Sequence, residues 1–560
     1  MIKKEDLANK TSDEFFSSVP EGYISGRTKY IIVTGSVISG VGKGTFTSSL
    51  CNVLKWNGFK VHPIKFDGYL NYDAGTLNPY RHGEVFVLDD GTECDLDLGS
   101  YERMTNQNLT RDNYLTSGKI FKSIIDKERA GLYLGRDVQF LPHVTGEIKY
   151  FIRECAVNHN PEIIVVEIGG TVGDLENSYF LEAMRELAYE ENKDNVCFVN
   201  VTYILKPSSL GEHKSKAAQL GIRTLMEQGI QPSIIICRSE EKIKDSIREK
   251  ISISSNVPVN RVINLHDVDT IYDVPLFLKD NKIDEIVMEI LGLKRKDTQL
   301  IDPNDWIKLV NNMENANKEI TIAITGKYTG VHDSYLSILN ALEHSAPYLG
   351  AKVKLKWIET TGINKNNVEE ELKNVNGIIV PGGFGERGVE GKIECIRYSR
   401  ENKIPFLGLC YGFQMAVIEF ARNVLGLKDA NTTEIKQTDN PVIYILPEQE
   451  EIENLGGTMR LGGFDMVVKE GTLAHKLYKS NKIRERFRHR YNVNTKYIEE
   501  LEKNGLIFSG MAPEKKIMQI LELKDHPYFL GTQYHAEFTS KPLQPNSLFL
   551  GFIEACLNKK

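Results

Sequence analysis

The 560-residue sequence is poor in cysteine. It has eight, and none falls in a CxxC pair. No zinc or disulfide framework is visible, and in so long a chain this fits a reducing compartment. A basic excess is also missing, since 69 Lys and Arg stand against 76 Asp and Glu, a net charge of −7. Binding along a phosphate backbone needs a basic footprint, so nucleic acid is excluded as a bulk partner. No run of about 18 apolar residues occurs, which leaves no candidate membrane span. The opening stretch, MIKKEDLANKTSDEFF, mixes both signs of charge and lacks the apolar core of a signal peptide. These absences predict a cytoplasmic protein away from membranes. The remainder is ordinary globular composition, 41% hydrophobic and 26% charged, in a length that suits two or more domains.

The stretch Tyr30 to Leu50, YIIVTGSVISGVGKGTFTSSL, reads as a buried strand, a glycine-rich turn and the start of a helix. Backbone N–H groups and a helix N-terminus in that order form a phosphate cradle, here Ser39, Gly40, Gly42, Lys43 and Gly44. The spacing departs from GxxxxGK[ST]. Val37 stands where the first glycine would be, and Gly44 separates Lys43 from Thr45. A second strand, Lys60 to Asp67, carries Lys65 near its carboxyl end, where open α/β sheets place ligands. Residues 69–103 show no helical pattern and are rich in carboxylates, a composition that suits either an acidic loop or Mg²⁺ beside a phosphate site. The apolar run Glu162 to Glu167 ends in a carboxylate and is followed by a second glycine turn, Gly169 to Glu176. Further strands are predicted at Val196–Ile204 and Ser233–Cys237, so the first half reads as a doubly wound parallel sheet. Lys206, His213, Lys214, Lys216, Gln219 and Arg223 form a local basic group, either a solvated helix face or a second triphosphate site.

Residues 293–318 are polar and charged, with one short helix around Trp306, and read as a linker. The α/β pattern restarts at Ile320–Ile324. Strand Ile404–Leu409 runs into G-x-C-x-G around Cys410 and then into an amphipathic helix, Met415 to Arg422. Glycines two before and two after permit the strained turn of a nucleophile elbow, and the helix start would favour the thiolate. On a strand at Gly531–Phe538, His535 and Glu537 would share a face, as an acid–base partner and its orienting carboxylate. Val380 to Gly385 ends a strand in glycines whose N–H groups suit an oxyanion.

Taken together, GVGKG, KFDGYLNYDAGTLNPYRHGEVFVLDDGTECDLDLGSYER, EIGGTVGDLE and HDVDTIYDVP resemble the CTP synthase family, in order and over nearly the whole chain from residue 28. The second half resembles a class I glutamine amidotransferase. The resemblance implies an N-terminal extension (1–27), a P-loop-like amidoligase domain (28–292), the linker and a flavodoxin-like glutaminase domain (319–560). It implies ATP-dependent amination of UTP with ammonia from glutamine, through 4-phospho-UTP and a glutamyl-cysteine thioester. Lys43 and Lys65 then match the ATP site, Lys65 among the catalytic groups, and Asp97 and Glu167 the Mg²⁺ carboxylates. Asp174 and Glu176 match the pyrimidine-nucleotide turn, where product CTP inhibits. Lys214, Lys216, Gln219 and Lys250 match the UTP site, although KSKAAQ replaces the family's K-T-K-P-T-Q. Cys410, His535 and Glu537 form the triad, and Gly383, Gln414, Glu434 and Arg490 meet glutamine. Residues 456–462 match a lid where GTP activates. Tyr411, Phe413 and Ala536 depart from the family's usual C-L-G-M-Q and H-P-E-F, and a bulky Tyr411 would narrow the pocket. A homotetramer, with or without filaments, is also implied. A cobyrinate-type amidase and a non-enzymatic filament former are the competing readings.

Overall fold

The computed structural model describes residues 19–209, 211–327, 332–446, 449, 457–513 and 516–559. Most of the N-terminal extension, and Gly456 of the lid, lie outside these. The chain forms two compact units. One comprises residues 1–73 and 100–304, the other 74–99 and 305–560.

In the first unit seven strands form one parallel sheet. They are β1 (Lys29–Ser36), β2 (Val61–Asp67), β3 (Tyr114–Thr116), β4 (Ile163–Ile168), β5 (Val196–Tyr203), β6 (Ile234–Ser239) and β7 (Val262–His266). Their order is β3-β2-β4-β1-β5-β6-β7. The order reverses beside β1, so the loops after β1, β2 and β4 share the carboxyl edge of the sheet. Continuous β-branched runs suit strands covered on both faces. Ile32, Ile64, Phe66, Ile164 and Val166 fill one apolar layer, while Ile235 and Cys237 join Ile204, Ile222 and Ile251 in another. The stretch expected to lack helix contains Pro79–His82 and the ten-residue helix Leu96–Thr105. Its polar sequence hides the pattern because the helix carries little apolar periodicity.

The second unit is built on a nine-stranded sheet. Its strands are β8 (Lys318–Gly326), β9 (Ala351–Glu359), β10 (Gly377–Val380), β11 (Phe406–Leu409), β12 (Arg460–Val468), β13 (Lys482–His489), β14 (Leu506–Met511), β15 (Met518–Leu523) and β16 (Phe529–Thr532). The order is β9-β8-β10-β11-β16-β15-β14-β12-β13. The first five are parallel and follow the flavodoxin order, and the last four extend the sheet antiparallel. Alternation along each strand feeds two cores. Ile378 and Val380 enter one and Ile379 the other. The helix after Cys410 spans Tyr411–Asn423 and is buried from Tyr411 through Ala421. It is a core helix covered all round, not the amphipathic helix expected.

Residues 74–99 pack within this second unit. They form a short hairpin, Phe86–Val87 against Glu93–Cys94. Alternate residues of β13 point to one side, and three arginines there grip the hairpin. Arg484 donates to Asp89 at 2.9 Å, Arg486 to the Val87 carbonyl at 3.1 Å, and Arg488 to Glu93 at 2.8 Å and the Gly75 carbonyl at 3.2 Å. Glu84 accepts from the Ser337 backbone at 2.9 Å.

Candidate active site

Strand β11 delivers Cys410 with φ 50° and ψ −94°, a left-handed backbone outside the regular helix and strand regions. The neighbouring glycines make that turn possible. A Cβ on Gly412 would lie 2.1 Å from the Val380 carbonyl oxygen, and one on Gly408 would lie 2.8 Å from the Gly412 backbone. The Cys410 N–H donates to the Thr532 carbonyl at 2.6 Å, which ties the elbow to β16.

Strand β16 ends at Thr532, so His535 and Glu537 do not lie on one strand face. His535 instead precedes the four-residue helix Ala536–Thr539, with Glu537 in its first turn. The chain turns there because the His535 N–H leaves the β16 ladder and donates to the Arg486 carbonyl at 2.9 Å. Across that turn His535 Nδ1 meets Glu537 Oε1 at 2.7 Å. Burial alone pulls the His535 imidazolium down, but the charges of Glu537 and Cys410 outweigh it and push it up to about 10. The ring stacks on Phe538 at 4.7 Å, and Phe538 in turn meets Phe86 of the hairpin at 5.0 Å. A Cβ on Gly382 would fall 3.0 Å from His535 Cε1 and 3.7 Å from Cys410 Cβ, so glycine there leaves room for the pair.

These groups open on a cavity of about 530 Å³. Its walls include Gly382, Gly383, Cys410, Glu434, Arg490, His535 and Glu537, and on another side Gly75, Leu77, Pro79, Glu84 and Val85. Glu434 accepts from the Gly385 N–H at 2.7 Å, and burial pushes its carboxyl up. Arg490 donates to Thr458 Oγ1 at 2.7 Å and to Gln449 Oε1 at 3.3 Å. Tyr411 does not narrow the cavity. Its side chain is outside the lining, and its hydroxyl donates to the Gly385 carbonyl at 2.7 Å, bracing the glycine loop. Behind that loop the ammonium of Lys392, on helix Val389–Asn402, lies 5.0 Å from the Tyr411 ring centroid. Lys392 is 1% exposed. Burial, then the Lys327 ammonium, pulls it down to about 7. Periodicity gave no hint of this lysine or of Gln533, whose amide nitrogen lies 3.6 Å from Cys410 Sγ. Gln414 is buried beside Gln533, with its Oε1 unpartnered among the described residues.

In the first unit the glycine loop leads into helix Lys43–Trp56. Gly40 and Gly42 take φ 69° and 90°, and Val37 takes 80°. Valine thus adopts the conformation a glycine would supply, a strain typical of a functional loop. Lys43 Nζ donates to the Gly170 carbonyl at 2.6 Å, and the Val172 N–H to Gly35 at 2.8 Å, so the two glycine turns are joined. Lys65 Nζ meets Glu167 Oε1 at 2.7 Å, and Tyr101 donates to Glu167 Oε2. Asp174 accepts from the Thr171 N–H at 2.8 Å, and Glu176 follows in the next turn. A separate cavity of about 590 Å³ brings Lys206, His213, Lys214, Lys216, Gln219 and Lys250 together. Asp97 lies in the first turn of helix Leu96–Thr105, among the residues that cluster with the second unit. No group of three His, Cys, Asp or Glu positioned for a metal occurs among the described residues, and none of their helices is long and apolar enough to cross a membrane.

An elbow cysteine facing a histidine–carboxylate pair on a flavodoxin-ordered sheet, in a chain that also carries a phosphate-type α/β unit, defines a glutamine-dependent amidotransferase. Residues 330–555 match the model of class-I glutamine amidotransferase, and 29–293 the model of the CTP synthase N-terminus. The CTP synthases of Thermococcus gammatolerans and Pyrococcus furiosus are each 50% identical over 535 residues, 95% of this chain and 99% and 98% of theirs. Among solved structures, the glutaminase domain of Trypanosoma brucei CTPS with bound acivicin is 35% identical, covering 43% of this chain and 95% of that one, with a TM-score of 0.41. The chain belongs to the CTP synthase family, ligases that form a C–N bond with glutamine as amide donor.

Proposed function

We propose that the chain converts UTP to CTP, the last step of de novo CTP synthesis, with the glutaminase chemistry centred on Cys410. The observation that carries this is the convergence of Cys410 and the His535–Glu537 pair on one cavity. Cys410 attacks the glutamine amide carbon while His535 accepts the thiol proton. The Gly383 and Tyr411 N–H groups receive the oxyanion, and His535 returns the proton to the departing ammonia. Water then hydrolyses the glutamyl thioester. Gln414, Glu434 and Arg490 hold the substrate glutamine. Glu434 and Arg490 line the cavity, and Gln414 has a buried oxygen awaiting a donor.

Ammonia would mostly protonate in neutral water. A single chain carrying both reactions therefore implies an internal passage for it. In the first unit ATP phosphorylates O4 of UTP, and ammonia displaces phosphate from C4. Ser39, Gly40, Gly42, Lys43 and Gly44 hold the ATP phosphates, and Lys65 neutralises charge on the transferred group. Glu167 offers hard oxygen donors, which suit Mg²⁺. Bound there, the ion would screen phosphate charge. Lys214, Lys216, Gln219 and Lys250 take the UTP triphosphate, and Asp174 and Glu176 the pyrimidine side, where CTP inhibits. GTP activates at the lid around Thr458–Gly462. The proposed setting is the cytoplasm, with four copies assembling and filaments built from them.

C410A tests this division. It should abolish CTP formation from glutamine and retain it with ammonium chloride, followed by CTP absorbance. Loss with both nitrogen sources, or retention with both, would overturn it.

A further inference from the structure

We propose that Gln533 is a catalytic residue of the glutaminase reaction, whose side-chain N–H holds the Cys410 thiolate. This rests on Cys410 being the nucleophile. Gln533 is fully buried at the end of β16, two residues before His535. Its Nε2 lies 3.6 Å from Cys410 Sγ, and its Oε1 lies 3.2 Å from Gln414 Nε2. That same Gln414 nitrogen donates to the Tyr491 carbonyl at 3.1 Å.

A backbone carbonyl fixes the polarity of this chain of contacts. A carbonyl can only accept, so Gln414 must turn its NH₂ end toward Tyr491. The second hydrogen of that nitrogen then faces Gln533, which must answer with its oxygen. Only the NH₂ end of Gln533 remains for the sulfur. The reverse orientation would set two NH₂ groups against each other and an oxygen against the thiolate. The sulfur also faces the Arg488 carbonyl at 3.5 Å, which accepts from the neutral thiol and disfavours the anion. As the proton passes from Sγ to His535 Nε2, the sulfur loses its bond to Arg488 and gains charge facing the Gln533 N–H. The donor therefore favours the ionised form selectively.

The test is the pH dependence of Cys410 alkylation by iodoacetamide in the full-length protein. All eight cysteines are buried, and C410A supplies the blank. A hydrogen bond to a charged acceptor is worth about tenfold or more. Q533L should therefore slow alkylation at pH 7 about tenfold and move the profile up by about one pH unit. It should lower kcat for glutamine hydrolysis by a similar factor with KM held within about twofold. Q533E, nearly isosteric, should move the profile further, since a carboxylate opposes the thiolate. It also keeps the test available should Q533L fail to fold. An unmoved alkylation profile in both folded variants overturns the proposal, whether or not kcat falls, because a packing role would leave the ionisation untouched. If C410A itself hydrolyses glutamine, the nucleophile assignment fails first and is distinguished from failure at Gln533.

Discussion

Replacing Lys392 by methionine should stabilise the second unit, and the gain should shrink as pH rises. Methionine keeps the length and apolar stem and removes only the ammonium. Burial and the nearby Lys327 charge bring Lys392 from 10.5 to about 7 in the folded chain. Each tenfold step in proton affinity is worth about 1.4 kcal/mol. At pH 6 both folded and unfolded chains carry the proton, and the folded state bears the whole cost of a buried charge, about 5 kcal/mol. Between pH 7 and 10.5 the unfolded chain binds a proton that the folded chain lacks, so wild-type stability rises with pH. At pH 9.5 the remaining deficit is about 1.4 kcal/mol. The difference between the two pH values, about 3 kcal/mol, is independent of how well methionine packs, since that contribution is common to both. It can be read from urea midpoints of hydrogen-exchange protection in the peptide 389–402, wild type against K392M at pH 6 and 9.5. An equal gain at both pH values, or a gain that grows with pH, would refute the account of Lys392 as a buried cation.

Two further substitutions follow from the same unit. E537Q removes the carboxylate that holds the His535 imidazolium up near 10. The alkaline limb of glutamine hydrolysis should move to lower pH and kcat should fall about a hundredfold, measured from pH–rate profiles. An unmoved alkaline limb would count against that pairing. R488A leaves Glu93, 2% exposed, as a buried charge without its guanidinium. It should destabilise the hairpin by about 3 kcal/mol, seen as faster limited proteolysis within residues 74–99 than in wild type.

The strand-to-loop junctions were the most legible part of the sequence. A β-branched run followed by glycines carries its own stop signal, so Glu167 and Cys410 could be placed at strand ends, and Lys43 in the glycine turn after one, from local pattern alone. His535 and Glu537 were paired for their chemistry, yet their turn depends on the Arg486 carbonyl of a distant strand, which no local spacing records. The helix after Cys410 misled because hydrophobicity around its whole circumference reflects burial between strands and helices far away in sequence. Lys392 and Gln533 were invisible for a related reason. A lysine on a helix and a glutamine just past a strand are ordinary until the fold removes their water. The hairpin was hardest to see, since its partners lie 395 residues along the chain.

That separation has a consequence for how the molecule is made. At synthesis rates of about 5–20 residues per second, Asp89 waits roughly 20–80 s for Arg484 to be added. During that interval Phe86, Val87 and Leu88, all fully buried once folding is complete, have no surface to cover them. The first unit can close its parallel sheet meanwhile, but it must do so around a 26-residue excursion, Ala74–Gly99, that belongs elsewhere. A nascent chain of this kind carries a sticky loop through most of its translation, and a fragment ending before residue 305 would carry it permanently.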